Sequence, residues 1–193
     1  MLYLGLDIGG TKMAAVVIND AGEEFGRYRQ ETVKESYEAF ISGLGGFISD
    51  IKKEIHEPFA IGIALPGGVS PINGKIKNSN ILVLNGRDLK SDLENHLGTT
   101  VIIENDANCF ALSEACDGAG QGHNVVFGVT LGTGCGGGIA IAQQPFSGAW
   151  GNDAACGHIT LSGYHPEQDG PLVTCSRGNQ TCPDTIGSGP RLA

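Results

Sequence analysis

Three short stretches of this chain combine residue types that can hold phosphate and move a proton. The first is Asp7-Ile8-Gly9-Gly10-Thr11-Lys12. Its glycines let backbone approach a ligand, Thr11 offers a hydroxyl, and Asp7 could hold a water bound to Mg²⁺. Gly5 and Gly10 have the spacing of a Walker A loop, but Thr11-Lys12 reverses the required order and the following residues read as a strand. The second stretch is Leu131-Gly132-Thr133-Gly134-Cys135-Gly136-Gly137-Gly138. Its Gly-x-Gly-x-Gly pattern is not a dinucleotide fingerprint, because that motif opens a helix and Ile139-Ala140-Ile141 reads as strand. Either loop alone also fits an ordinary glycine hairpin. Two Gly-Thr loops, each between paired strands, point to a paired clamp of backbone N–H donors for a polyphosphate. The third stretch, Glu104-Asn105-Asp106-Ala107-Asn108-Cys109, lies at a strand end leading into a helix. Asp106 there fits either a helix cap or a base that takes the proton of a hydroxyl attacking a γ-phosphate.

The elements that must position these residues follow from hydrophobic periodicity. Residues 2–8 and 11–18 are apolar runs bracketing Gly9-Gly10, which predicts a β-hairpin. A third strand is expected over about 25–32. Tyr37, Phe40, Ile41, Leu44, Phe47, Ile48, Ile51 and Ile55 keep helical spacing, although Gly43, Gly45 and Gly46 weaken that helix. Residues 59–65 read as a strand stopped by Pro66-Gly67-Gly68, 88–97 as a helix ended by Gly98, 101–103 as a strand, and 106–116 as a helix. At Asn124 the pattern restarts: a strand over 125–131, a turn over 132–138 and a strand from 139 to 142. This repeats the strand, glycine loop and strand order of residues 2–18 and predicts a duplicated, two-lobe α/β fold. The expected lobes are 1–120 and 121–193. Regular patterning decays after about residue 143.

Bulk properties narrow the partners. The 193 residues carry a formal net charge of −9, which argues against nucleic acid or an anionic membrane as partner. The 31 glycines cluster at the ends of apolar runs, without the period of collagen. With no cationic leader and no apolar run long enough to span a bilayer, a cytoplasmic protein is expected. The six cysteines are then expected as free or metal-bound thiols, with a disulfide framework the alternative.

The three stretches together resemble the ROK (repressor, ORF, kinase) family, and within it the bacterial fructokinases and N-acetylglucosamine kinases. The resemblance is close from residue 1 to about 170. Asn73-Gly74-Lys75-Ile76-Lys77-Asn78-Ser79-Asn80 and Leu84-Asn85-Gly86 look nearer to the fructokinases, while Cys109-Phe110-Ala111-Leu112-Ser113-Glu114-Ala115 occurs in the N-acetylglucosamine branch. The resemblance implies an actin-like, ribonuclease-H-like ATPase fold with a complete first lobe and an incomplete second one. It implies ATP with Mg²⁺ as cosubstrate, a hexose phosphorylated on its 6-hydroxyl, and a homodimer. By matching motif, Asp7, Gly9, Gly10, Thr11, Lys12, Gly132, Thr133, Gly134 and Gly136 would contact ATP. Asp106 would be the base, and Gly67, Asn80, Asn105, Asp106 and His158 would contact the sugar. The family's repressors carry a helix-turn-helix segment before this fold; with the first strand at Leu2, the repressor reading is disfavoured.

The resemblance also implies a Zn²⁺ site, here in degenerate form. The family's Glu-x-Gly-His appears as Ala155-Cys156-Gly157-His158, so a methyl group replaces a carboxylate that would bind sugar. In the downstream metal motif Cys175, Gly178 and Cys182 match, Arg177 replaces a ligand, Thr181 replaces a glycine and Asp184 shortens a glutamate. His158, Cys175 and Cys182 would be the metal ligands, against free thiols on a loose tail. The early end predicts an uncovered apolar sheet face in the second lobe. The alternative to a working kinase is an inactive remnant that binds sugar or nucleotide weakly.

Overall fold

A computed structural model describes residues 1–132, 134–151, 154–175 and 177–188. Its contacts divide the chain at Asp106 into two units, Met1–Asp106 and Ala107–Ala193.

In the first unit, β1 (Leu2–Ile8) and β2 (Lys12–Asn19) form the expected antiparallel hairpin, and β3 (Glu24–Glu31) adds to β2. β1 places Leu2, Leu4, Leu6 and Ile8 in the core while the intervening residues stay exposed, which is the period-two alternation of a half-covered strand. The helix α1 (Tyr37–Ile55) covers that face with Phe40, Leu44, Phe47, Ile48 and Ile51. Ser36 caps it, accepting from the Ala39 N–H at 3.1 Å. After β4 (Phe59–Leu65) comes a small hairpin, β5 (Gly68–Val69) with β6 (Ile76–Lys77), followed by a 3₁₀ turn at Leu82–Leu84. Sequence periodicity could not show strands this short. Helix α2 (Leu89–Leu97), capped by Asp88 and ended by Gly98, leads into β7 (Val101–Asn105). The sheet order is β3-β2-β1-β4-β7, with β1, β4 and β7 parallel.

In the second unit, α3 (Asp106–Cys116, its first residue closing the first unit) packs on the hairpin of β8 (Val125–Leu131) and β9 (Cys135–Ile141). The expected turn over 132–138 is corrected: it closes at Gly134, and Gly136–Gly138 belong to β9. Close neighbours on both faces require glycine here: Gly138 is pressed by α3, Gly136 by Thr130 and Ala107, and a Cβ on Gly137 would lie 2.6 Å from the Ala154 carbonyl. A Cβ on Gly138 would collide with the Ala107 carbonyl, and one on Gly136 would lie 2.6 Å from Thr130 Oγ1. A short β10 (Gln144–Pro145) adds to β9, giving the order β10-β9-β8. The remainder holds two single-turn helices, α4 (Pro166–Asp169) and α5 (Pro183–Ile186), and an isolated bridge between Thr174 and Gln180.

The second sheet repeats the first three strands of the first. In the first unit β1 also has β4 alongside; among the described residues β8 has no such neighbour. Its outward side chains Val125, Phe127, Val129 and Leu131 are 59, 54, 44 and 60% exposed. The expected uncovered apolar face is therefore present. All six cysteines are free thiols, and no described helix is long and apolar enough to cross a membrane.

Candidate functional site

The parallel strands β1, β4 and β7 end at one edge of the first sheet, with Asp7 opposite Ala64 and Leu65 opposite Asn105. Loops at the carboxyl ends of parallel strands are where open α/β sheets collect ligands. The first glycine loop closes there. Gly9 N–H donates to the Lys12 carbonyl at 2.9 Å, and the Thr32 hydroxyl donates to the Gly9 carbonyl at 2.7 Å. Lys34 Nζ donates to the Gly10 carbonyl at 2.6 Å, a tie the motif alone did not reveal. Asp7, Thr11 and Lys12 are exposed at this edge.

The sugar-site candidates of this unit are drawn together by Gly67. Its φ of +93° lies in the left-handed region, and a Cβ would sit 2.5 Å from the Lys77 carbonyl and 2.7 Å from Ser79 N. Only glycine lets these segments meet. Ser79, buried, holds the 79–85 loop: its N–H donates to Asn85 Oδ1, and the Asn85 amide donates back to its carbonyl, both at 2.9 Å. The next residue, Asn80, then reaches Gly10, with Oδ1 3.6 Å from where a Gly10 Cβ would be. Neither Ser79 nor Asn85 was singled out from sequence as a site residue, and an Asn pairing with backbone six residues away leaves no pattern to read. From the other side the Asn105 amide donates to the Gly67 carbonyl at 2.7 Å and to Asp106 Oδ1 at 3.0 Å. Asp106 is exposed in the first turn of α3, where a negative charge is favoured. The arrangement thus presents a carboxylate, oriented by a neighbouring amide, in the same unit as a phosphate-type glycine loop.

The second glycine loop is tight, with Gly132 N–H donating to the Gly134 carbonyl at 2.9 Å. Thr133 lies outside the described residues. Gly134 is approached by the Asp184 carboxylate, whose Oδ1 accepts the Cys135 N–H at 3.0 Å. Gly136 has a packing reason of its own, as described above.

Near this loop stand the expected metal ligands. The donor atoms of His158, Cys175 and Cys182 lie within 4.8 Å of one another, and both cysteines are buried. His158 Nδ1 is buried without a hydrogen-bond partner, and Asp184 Oδ2 lies 4.0 Å from it. Two thiols and an imidazole suit Zn²⁺, and a carboxylate beside the ligating histidine is a common support. Burial works against the Cys175 thiolate, yet the N–H of Arg177, the Cys182 thiol and the N–H of Asn179 together hold its pKa below the ordinary thiol value. Burial and the adjacent Cys156 thiol push Cys135 the other way. Arg177 is itself exposed, and its backbone N–H donates to Cys175 Sγ at 3.4 Å. The residues present therefore fit a zinc ion through three protein ligands.

Solved structures share this architecture. The chain superimposes over its whole length on 59% of a ROK family glucokinase from Streptomyces griseus, in complex with glucose and AMPPNP, at a TM-score of 0.83 and 34% identity. It likewise covers 62% of a ROK hexokinase from Thermus thermophilus at a TM-score of 0.80 and 32% identity. The fold is the actin-like, ribonuclease-H-like ATPase fold. The ROK family model matches residues 3–193, and the chain belongs to the ROK family. Among curated relatives it is similar to the N-acetyl-D-glucosamine kinases of Mannheimia succiniciproducens, 39% identical over 98% of the chain, and Photobacterium profundum, 37% identical over 97%. It spans 63% of the length of each.

Proposed function

We propose that this protein transfers the γ-phosphoryl group of ATP to the 6-hydroxyl of a hexose, with N-acetylglucosamine favoured over fructose. The observation that carries the reading is the Gly67–Asn105–Asp106 constellation at the carboxyl ends of the parallel strands. The likeness to N-acetyl-D-glucosamine kinases supports the choice of sugar.

In this reading the Asp106 carboxylate accepts the proton of the 6-hydroxyl. The sugar oxygen forms its bond to the γ-phosphorus while the bond to the ADP oxygen breaks. Asn105 holds the carboxylate in place, and Asn80 and the Gly67 segment line the sugar. Thr11 and Lys12, exposed in the first glycine loop, orient the phosphates. Asp7 would hold Mg²⁺ through water, and that ion neutralises phosphate charge when bound. His158, with Cys175 and Cys182, would hold a Zn²⁺ ion. Most of the rate then comes from positioning.

A coupled ADP-release assay across a hexose panel tests this. N-acetylglucosamine should give the highest kcat/KM, and no turnover with any hexose would sink the proposal. One observation favours the alternative of a binding-only remnant: Ala155 is exposed with a methyl group where the family motif has a carboxylate. Losing such a charged partner weakens sugar binding by about 1.5–3 kcal/mol. Calorimetric binding of sugar or nucleotide without turnover would select that alternative.

A further inference from the structure

The Asp184 side chain touches both the second glycine loop and the metal cluster. Its Oδ1 accepts the Cys135 N–H at 3.0 Å, and its Oδ2 faces His158 Nδ1 at 4.0 Å. Its own backbone N–H donates to the Gly157 carbonyl at 2.8 Å. Gly157 in turn leaves no room for a Cβ against the Cys135 carbonyl. Gly134 makes room at the same junction, since the Asp184 carboxylate lies where its Cβ would stand. On the cluster side, Asp184 is two residues past the ligand Cys182, and Asn179 Nδ2 donates to the His158 carbonyl at 2.9 Å. Asn179 on the His158 carbonyl and Asp184 on the Cys135 N–H therefore tie the cluster's surroundings to the glycine loop. Gly134 and the Cys135 N–H serve this junction before they serve any ligand.

We propose that Asp184 is a positioning residue that transmits order from the His158–Cys175–Cys182 metal cluster to the second glycine loop. This rests on the reading that the cluster holds Zn²⁺. When the metal fixes Cys182, Asp184 is delivered to Gly134–Cys135 with its carboxylate already placed, so the loop keeps its shape without a nucleotide. When the metal is removed, the carboxylate loses its anchor and the Cys135 N–H loses its acceptor. A carboxylate accepting a backbone N–H is a charge-assisted bond, so its loss should be large for one contact.

The test is amide hydrogen exchange on the full-length protein, resolved at Cys135, with zinc content measured in parallel. Four samples are compared: wild type and Asp184→Ala, each zinc-loaded and zinc-stripped. Stripping the wild type should speed Cys135 exchange by about tenfold or more, the equivalent of one charge-assisted hydrogen bond. Zinc-loaded Asp184→Ala should show a similar rate while keeping its zinc, and stripping it should add less than about twofold. Asp184→Asn, which retains an acceptor oxygen, should recover most of the protection. The Val126 and Ala140 amides of the β8–β9 ladder should not change, which separates loop release from unfolding. Protection at Cys135 that survives stripping in the wild type would overturn the proposal. So would additive effects of stripping and substitution, or loss of zinc from Asp184→Ala, which would make Asp184 a ligand. Wild type that binds no zinc would defeat the metal reading itself, and the zinc measurement distinguishes that outcome from the others.

Discussion

Asp106 and Asn105 act as a pair, since one amide group of Asn105 reaches both the Gly67 carbonyl and the Asp106 carboxylate. Asn105→Ala should lower kcat by roughly tenfold or more through the loss of base orientation, while leaving thermal stability within about 1 kcal/mol. Steady-state kinetics and a melting curve check both. Gly67 is constrained more severely. Gly67→Ala combines a left-handed backbone with a clash against Lys77 and Ser79, and should cost about 2–3 kcal/mol in urea unfolding. The motif residues were legible in the sequence because their types are chemically scarce there: a Gly-Thr pair, an aspartate before a helix. What holds them was not. Lys34 on Gly10 and Asn85 on Ser79 are contacts of common residues with backbone, and no residue type announces them.

Between elements, α1 and α2 are joined at Tyr37, which is buried, donates to Asp92 at 2.5 Å and lies under Arg87, 4.8 Å from ring centroid to guanidinium carbon. Burial first, and then the Asp92 carboxylate, raise the Tyr37 pKa well above the ordinary phenol value. The raised pKa means the fold prefers the protonated phenol. Its stabilisation is complete below about pH 10, where unfolded tyrosine ionises, and is lost as pH rises through the higher folded value. Tyr37→Phe should cost about 1–3 kcal/mol near neutrality, and should flatten the loss of stability above pH 10 when unfolding is followed across that range. The longer elements of the first unit follow the sequence closely because their periodicities run for seven residues or more, and α1 starts after Ser36 and α2 ends at Gly98, as the capping residues require. The glycine run 136–138 misled the periodicity, since a turn and a strand pressed flat against a helix use the same residue. The distinguishing partner, Ala107, is some thirty residues away and reachable only through the fold.

At the scale of the molecule, the strand–loop–strand repeat was visible as a restart of pattern at Asn124, and it proves to be a repeat of sheet topology. The division at Asp106 was less visible, because α3 continues the alternation of the first unit in sequence while its small residues Ala107, Ala111 and Ala115 pack in the second. The exposed row Val125, Phe127, Val129 and Leu131 on an edge strand should make residues 1–193 self-associate with rising concentration. Sedimentation velocity would show this, and Val129→Lys with Leu131→Lys should suppress it without lowering the melting temperature by more than about 5 °C.

The central claim is that a sugar hydroxyl gives its proton to Asp106, and ADP release with N-acetylglucosamine, for wild type beside Asp106→Asn, tests it most directly. The account predicts turnover by the wild type and a kcat about 10²–10⁴-fold lower for Asp106→Asn, with both proteins equally folded by circular dichroism. Equal turnover by the two would contradict it.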